Sequence, residues 1–409
     1  MTARPTPYDE RVKALLLENI HPDAVDALRS RGFEVETRKG AMDPQELLTA
    51  LQGVDLLGIR SKTHVTREVL EAHPQLQAVG AFCIGTNQID LTAATDTATA
   101  VFNAPFSNTR SVVELALGEI IALARHLTDK NTAMHQGVWD KSAKGSHEVR
   151  GRTLGIVGYG NIGKQLSVVA EAFGMDIYYY DIVDRLAMGN ATKCDSLEQL
   201  LARVETVSLH VDGRESNTKM FGREQFRQMQ PRSIFLNLSR GHVVDLEALR
   251  EALVSGHLAG AGLDVYPSEP KAAGEPFTSD LQGLPNVILT PHVGGSTAEA
   301  QENIGDFVSG KLVDYCRYGT TSLSVNFPEV QLDPVIHGTR LLHIHSNVPG
   351  VLARVNSTLG EHGINVDRQQ LVTKGQMGYM VTDCANGVTD EVVAAIEALP
   401  ETIRVATVS

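Results

Sequence analysis

The stretch TLGIVGYGNIGKQL, residues 153–166, decides the fold. It opens on an apolar run, passes through Gly158, Gly160 and Gly163 in a GxGxxG pattern and closes on a segment with helical spacing. Strand, glycine turn and helix in that order form the first βα unit of a doubly wound sheet. Gly158 permits the tight turn, Gly160 removes the side chain where the backbone must approach a ligand, and Gly163 lets helix and strand pack closely. The helix N-terminus, with unpaired N–H groups and a partial positive charge, then favours a phosphate. The next run, DIYYYD, ends in Asp181, at the about 20-residue spacing where a carboxylate accepts ribose hydroxyls and repels a 2′-phosphate. NAD is therefore expected as cofactor, in preference to NADP. The bland alternative is a glycine-rich turn without a ligand, but strand, helix and acid are all present.

Working outward, TVSLHV (206–211), SIFLNLS (233–239), AGAGLDVY (259–266) and NVILTPH (286–292) complete six short apolar runs that fit one sheet. Upstream, ALLLENI, VDLLGIR, LQAVGAF and AVFNAPF alternate with helical stretches over residues 1–107, which is the rhythm of a second parallel sheet. One long helix over 111–137 is predicted between the two series. Downstream, a helical stretch over 296–319 leads to Pro328 and Pro334, read as a linker. The remainder reads strand, helix, strand, strand, helix, strand, a ferredoxin-like unit.

Three further pieces lie at predicted C-terminal strand ends, the edge that carries ligands in open parallel sheets: LNLSRG with Arg240, AGLDVYPSEP with Asp264 and Glu269, and LTPHVGG with His292. Hydride removal from a secondary alcohol needs a base for the hydroxyl proton, and imidazole titrates in the right range. His292 fits that role, with Glu269 on its other ring nitrogen and Arg240 as a planar fork for a substrate carboxylate and C2 oxygen. Singly, each has a structural explanation: a histidine in a turn, a surface ion pair, a turn cap. All three would have to hold at strand ends beside one cofactor motif.

The formal charge of −13 argues against a nucleic-acid partner, which needs a concentrated basic surface. Four cysteines without a CxxC pair fit free thiols and a cytoplasmic setting. The opening MTARPTPYDERVK lacks the apolar stretch of a leader, and no run of about 18 apolar residues occurs, so no membrane span is expected. No metal site is expected either.

On GYGNIG, NLSRG, LDVYPSEP and TPHVGGST the sequence resembles the D-2-hydroxyacid dehydrogenase family. GIRSKTHVT, FCIGTNQIDL, FNAPFSNTRSV, GVWDKSAKGS and NFPEV make it most similar to the branch acting on a phosphorylated 2-hydroxyacid. That resemblance implies oxidation of 3-phosphoglycerate with NAD, at the start of serine biosynthesis. It implies a catalytic set of Arg240, Glu269 and His292. Cofactor contacts would come from Gly158, Gly160, Asn161, Ile162, Gly163, Asp181, Leu238, Ser239, Arg240, Asp264, His292, Val293 and Gly294. The substrate phosphate would lie on Arg60, Ser61, Lys62 and Asn108, with Lys62 where Arg is usual, a point charge in place of a fork. The fold implied is a Rossmann-type nucleotide-binding domain (108–295) inserted in a flavodoxin-like substrate domain (1–107 and 296–333), and a homotetramer.

HSNVPGVLARV and EHGINVDRQQ resemble an ACT domain, placed at 338–409. The resemblance implies L-serine as an inhibitor bound where two such modules meet, through His345, Asn347 and Asn365. Here Gly338 is followed by Thr339, where the family commonly has a glycine pair at the entry to this module. Other readings stay open: a dehydrogenase for a non-phosphorylated acid or 2-hydroxyglutarate, which would leave Arg60 and Lys62 nothing to bind; an NAD-binding corepressor, which would not need the C-terminal module; and an ACT module that only dimerises.

Overall fold

The computed structural model describes residues 12–270, 274–335 and 337–408. The N-terminal residues on which the expectation of no leader rests, 1–11, lie outside that range. The chain separates into two compact units, Met1–Ser107 with Gln301–Ser409, and Asn108–Ala300.

In the first unit, strands β1 (Lys13–Leu16), β2 (Glu34–Thr37), β3 (Leu56–Ile59), β4 (Ala78–Ala81) and β5 (Ala100–Asn103) alternate with helices α1 (Pro22–Arg29), α2 (Pro44–Ala50), α3 (Arg67–Ala72) and α4 (Leu91–Asp96). Asp43, Thr66 and Asp90 accept backbone N–H bonds at the starts of α2, α3 and α4, which explains where those helices begin. The strands are parallel in the order β2-β1-β3-β4-β5, the flavodoxin-like arrangement. The central strands β3 and β4 are buried throughout, as a sheet covered on both faces requires. The order reverses between β1 and β3, which opens a crevice at their C-terminal ends.

The second unit starts with α5 (Thr109–Ala124) and α6 (Leu127–His135). The single long helix predicted here is broken: His126 takes a left-handed φ of 50° and sets its ring nitrogen 3.1 Å from the Gly145 carbonyl. The Asp129 carboxylate receives the Asn286 backbone N–H at 2.8 Å, so α6 follows the sheet edge rather than the axis of α5. A parallel sheet follows, built of β6 (Thr153–Val157), β7 (Asp176–Tyr180), β8 (Thr192–Lys193), β9 (Thr206–Leu209), β10 (Ser233–Asn237), β11 (Leu258–Leu263) and β12 (Val287–Leu289). Helices α7 (Asn161–Ala172), α8 (Leu197–Leu201), α9 (Arg223–Gln228) and α10 (Leu246–Val254) connect it. The order β12-β11-β10-β9-β6-β7-β8 is doubly wound, its reversal lying between β6 and β9. The six predicted runs are all strands; the two-residue β8 is an addition.

Helix α11 (Ala298–Tyr318) returns the chain to the first unit. Val308 and Leu312 pack on Gly80 of β4, where a Cβ would come within 2.8 Å of Val308. After it, β13 (Thr339–Ser346), α12 (Val351–Glu361), β14 (Val366–Lys374), β15 (Met377–Cys384), α13 (Asp390–Glu397) and β16 (Thr402–Val408) form the antiparallel sheet β14-β15-β13-β16 with its two helices. Leu341 of β13 packs with α12 and α13, whereas Leu342 and Ile344 join the core around α11. Cationic and hydroxyl groups fix this sheet to main-chain carbonyls of the rest of the unit. Arg340 donates to Tyr318 and Asp333 (2.8 and 2.9 Å), Tyr379 to Gly319 (2.7 Å), and Arg404 to Pro74, Leu76 and Thr97 (2.7–3.0 Å). Gly338 has φ 83°, and a Cβ there would meet the Cys384 carbonyl at 2.0 Å, so only glycine fits this entry. No helix among the described residues is long and apolar enough to cross a membrane.

Candidate active site

The three glycines of the GxGxxG turn act at three different places. Gly158 has φ 90°, and a Cβ on it would meet the His210 carbonyl at 2.5 Å. A Cβ on Gly163 would strike the Gly158 carbonyl at 2.4 Å, which is the close helix–strand packing the motif predicts. Gly160 is the N-cap of α7; no side chain caps it, and a Cβ added there would meet nothing within 4 Å. That open approach to a helix N-terminus, carried on Asn161 and Ile162, suits a dinucleotide pyrophosphate. Asp181, just past β7, accepts the Tyr159 N–H (2.7 Å) on one oxygen and the Val183 N–H (2.8 Å) on the other. Its carboxylate is thereby fixed at the strand end, beside the glycine turn.

At the next strand ends, hydrogen bonds hold the backbone that carries the reactive side chains. Asn237, fully buried at the end of β10, accepts the Ser239 N–H (3.1 Å) and hydroxyl (2.8 Å) and donates to the Arg240 carbonyl (3.0 Å). Leu238, Ser239 and Arg240 thus lie in one fixed turn. A Cβ on Gly241 would overlap the Tyr266 main chain at 1.9 Å, so this turn packs directly on the one bearing Glu269. Asp264, buried after β11, accepts from Thr290 Oγ1 (2.6 Å) and from the N–H groups of Val293 and Gly294 (both 2.7 Å). Its carboxylate shapes the turn that presents His292.

His292 occupies that turn with a left-handed φ of 55°, an outlier for a residue with a Cβ and one that clusters at functional sites. Its Nδ1 is 2.8 Å from Glu269 Oε2, while Glu269 Oε1 accepts the Tyr266 N–H at 3.1 Å. Nε2 is left as the ring nitrogen for a substrate. The hydrogen bond to Glu269 raises the imidazole above its ordinary value against the opposing effect of burial, with negative charge from Glu269 and Asp264 adding to it. Burial alone would raise Glu269; the bonds from His292 and Tyr266 and the positive charge of His292 and Arg240 outweigh it and hold the carboxyl low.

Sequence reasoning missed Asn237, Tyr266 and Thr290, which hold the site without reacting. A polar side chain closing an apolar strand, as in IFLN, was the signal available for the first. It also missed Glu119 on α5, which is 4% exposed and has neither carboxyl oxygen hydrogen-bonded among the described residues. Burial, with Asp264 and its charge nearby, pushes this carboxyl up to about 8. Between the ordinary carboxylate range and that value the folded protein keeps a proton the unfolded chain has lost, so stability falls as pH rises through the window. Glu119→Gln is expected to remove that slope, gaining on the order of 4 kcal/mol over the parent by pH 8 and little at pH 5. Thermal unfolding across pH 5–9 checks it; parallel profiles for the two proteins would contradict it.

In the first unit, Arg60, Ser61 and Lys62 form the loop after β3, at the crevice between β1 and β3, with Ser61 and Lys62 exposed. Asn108 opens α5 of the second unit. Its Oδ1 is buried without a partner and its amide lies beside Gly295, next to the turn bearing His292. Of the C-terminal trio, His345 is buried with Nδ1 on the Ser346 carbonyl (2.8 Å), and Asn347 donates to Gly375 (3.1 Å) at the same end of β13. Asn365 precedes Val366, which pairs with Cys384, as does Thr339 at the start of β13. The trio is therefore split between opposite ends of the sheet. Trp139 is 74% exposed.

These geometries recur in a known enzyme class. Residues 117–294 match the model for the D-isomer specific 2-hydroxyacid dehydrogenase NAD-binding domain, and residues 341–404 match an AHAS small subunit-like ACT domain. The chain belongs to the D-isomer specific 2-hydroxyacid dehydrogenase family, whose members are NAD-dependent oxidoreductases. It is 49% identical over 398 residues to D-3-phosphoglycerate dehydrogenase of Escherichia coli (strain K12), covering 97% of each chain. It is 48% identical over 406 residues to the enzyme of that name from Haemophilus influenzae, covering 99% of each. Among solved structures, the TT0316 protein from Thermus thermophilus superimposes with a TM-score of 0.67 at 32% identity, over 74% of this chain and 96% of that one.

Proposed function

We propose that this protein oxidises D-3-phosphoglycerate to 3-phosphohydroxypyruvate with NAD, the first step of the phosphorylated route to L-serine. The observation that carries the chemistry is the 2.8 Å bond between His292 and Glu269, at strand ends beside the glycine turn. The near full-length likeness to phosphoglycerate dehydrogenases supports the substrate. Bound NAD would supply the hydride acceptor for C2. The glycine turn and the α7 N-terminus would hold its phosphates, and Asp181 its ribose.

The chain's own residues then act as follows. Arg240 binds the substrate carboxylate and C2 oxygen through its fork of donors, aligning the C2–H bond. His292 Nε2 takes the C2 hydroxyl proton as the C2–O bond becomes a carbonyl. Glu269 fixes the ring tautomer and stabilises the imidazolium. Arg60, Ser61, Lys62 and Asn108 hold the phosphate. In the reverse direction the protonated imidazole returns its proton to the keto oxygen.

The split of the effector trio between opposite sheet ends supports an L-serine site completed by two copies pairing antiparallel through β14, an edge strand exposed along most of its length. A homotetramer, a three-module division of the chain and a cytoplasmic setting complete the reading. Four cysteines without a disulfide support the last.

Initial rates of NAD reduction with 3-phosphoglycerate and with D-glycerate or D-lactate, each with and without L-serine, test the proposal. Turnover that strongly favours the phosphorylated acid over the others and is suppressed by serine is the expected result. Equal turnover of the unphosphorylated acids would remove the phosphate assignment and leave the family chemistry standing.

A further inference from the structure

Glu18 ends the apolar run ALLLE just past β1, yet it is buried. Its side chain crosses to the loop after β3 and binds its main chain. Oε1 accepts the N–H groups of Arg60 (3.1 Å) and Thr63 (2.8 Å), and Oε2 accepts that of Lys62 (3.0 Å). The carbonyl side of the loop is held as well, because Gln88 Nε2 donates to the Arg60 carbonyl at 2.7 Å. Glu18 also binds through its own main chain, its N–H reaching the Gly40 carbonyl at 3.1 Å, beside Lys39. Glu18 and Asn19 are consecutive residues with left-handed φ of 61° and 53°, a conformation that side chains with a Cβ adopt only when their surroundings enforce it.

The location gives this network its meaning. β1 and β3 flank the point where the strand order reverses, the place where open α/β sheets bind ligands. Three N–H groups of the loop are taken up by one carboxylate, which ties its backbone down, and Arg60 and Lys62 extend from that fixed frame. An exposed loop without such tethers would have to be ordered by the ligand, at the expense of affinity.

We propose that Glu18 is the positioning residue for phosphate recognition, fixing loop 60–63 so that Arg60 and Lys62 are preorganised for the phosphoryl group; this rests on the substrate reading above. Glu18→Gln keeps the shape but replaces one acceptor oxygen with an NH2 that faces a donor, releasing one arm of the loop. KM and kcat for D-3-phosphoglycerate and for D-glycerate are measured on the full-length parent and variant, with the KM for NAD. The expected result is at least a roughly tenfold rise in KM for the phosphorylated acid, a change in kcat within about threefold, and unchanged constants for D-glycerate and NAD. General damage to the fold would lower both substrates together and leave their ratio alone. Gln88→Met, which removes the second tether, is expected to move the ratio in the same direction and keeps the test available if Glu18→Gln does not fold. A preference for the phosphorylated acid that survives in both variants overturns the role of Glu18 alone. A parent enzyme without that preference removes the substrate reading and this inference with it.

Discussion

Glutamine in place of His292 is expected to lower kcat for 2-hydroxyacid oxidation by about 10²–10⁴-fold, with the KM for NAD unchanged. The amide fills much of the ring's space and can still bond to Glu269, so the turn held by Asp264 and Thr290 should survive. What is lost is the proton acceptor. The companion variant Glu269→Gln separates positioning from basicity. Because Glu269 raises the imidazole above its ordinary value, oxidation in the parent falls off as pH drops through that raised value. Removing the carboxylate moves the acid limb of the kcat/KM profile to lower pH, on a lower plateau. In the reduction direction the sign reverses: the protonated ring is the reactant, so Glu269→Gln loses activity at a lower pH than the parent does. An acid limb that stays in place in Glu269→Gln would assign the titration to another group.

Lysine in place of Arg240 is expected to reduce kcat/KM by about 10²–10³-fold, corresponding to roughly two charge-assisted hydrogen bonds at about 1.5–3 kcal/mol each, offset in part by the retained charge. The backbone at this position is held mainly by other groups, although the guanidinium also donates to the Ser239 carbonyl at 2.7 Å. Asn237 holds the Arg240 carbonyl, and Gly241 is wedged against the Tyr266 main chain. Lysine therefore changes a planar fork into a point charge, with the loss of that one local bond. The loss should appear in kcat as well as KM, since a single ammonium cannot bind the carboxylate and steer the C2 oxygen together. A loss confined to KM would reduce Arg240 to a simple anchor.

Much of this molecule can be read from the chain, and where the reading stops has a physical cause. The glycine turn, the strand ends carrying Arg240, Glu269 and His292, and the βαββαβ order at the C-terminus all follow from short-range pattern: apolar period, glycine spacing, position after a strand. The break between α5 and α6 does not, because nothing in ARHLT forbids a helix. It is imposed by Asp129 reaching Asn286 across the sheet edge. Glu18 and Glu119 are equally hidden, and Asn237 shows only as a polar end to an apolar strand. Each is an ordinary polar residue in sequence, and its importance comes from partners 2 to more than 40 positions away, or from having none at all. Burial converts such residues from solvated to structural, and burial is a property of the fold.

The face shared by the C-terminal sheet and α11 has a consequence for how the chain can be cut. Leu342, Ile344, Met377 and Tyr379 lie in the same core as Val308, Leu312 and Tyr315. A chain ended ahead of β13 would lay that half of α11 bare to water and strip the main-chain carbonyls at Tyr318 and Gly319 of their donors. The module is thus no bead on a string. A truncated enzyme would report on an uncovered apolar surface as much as on the loss of its regulator, and compensating polar substitutions on α11 would be needed before its kinetics could be compared with those of the whole protein.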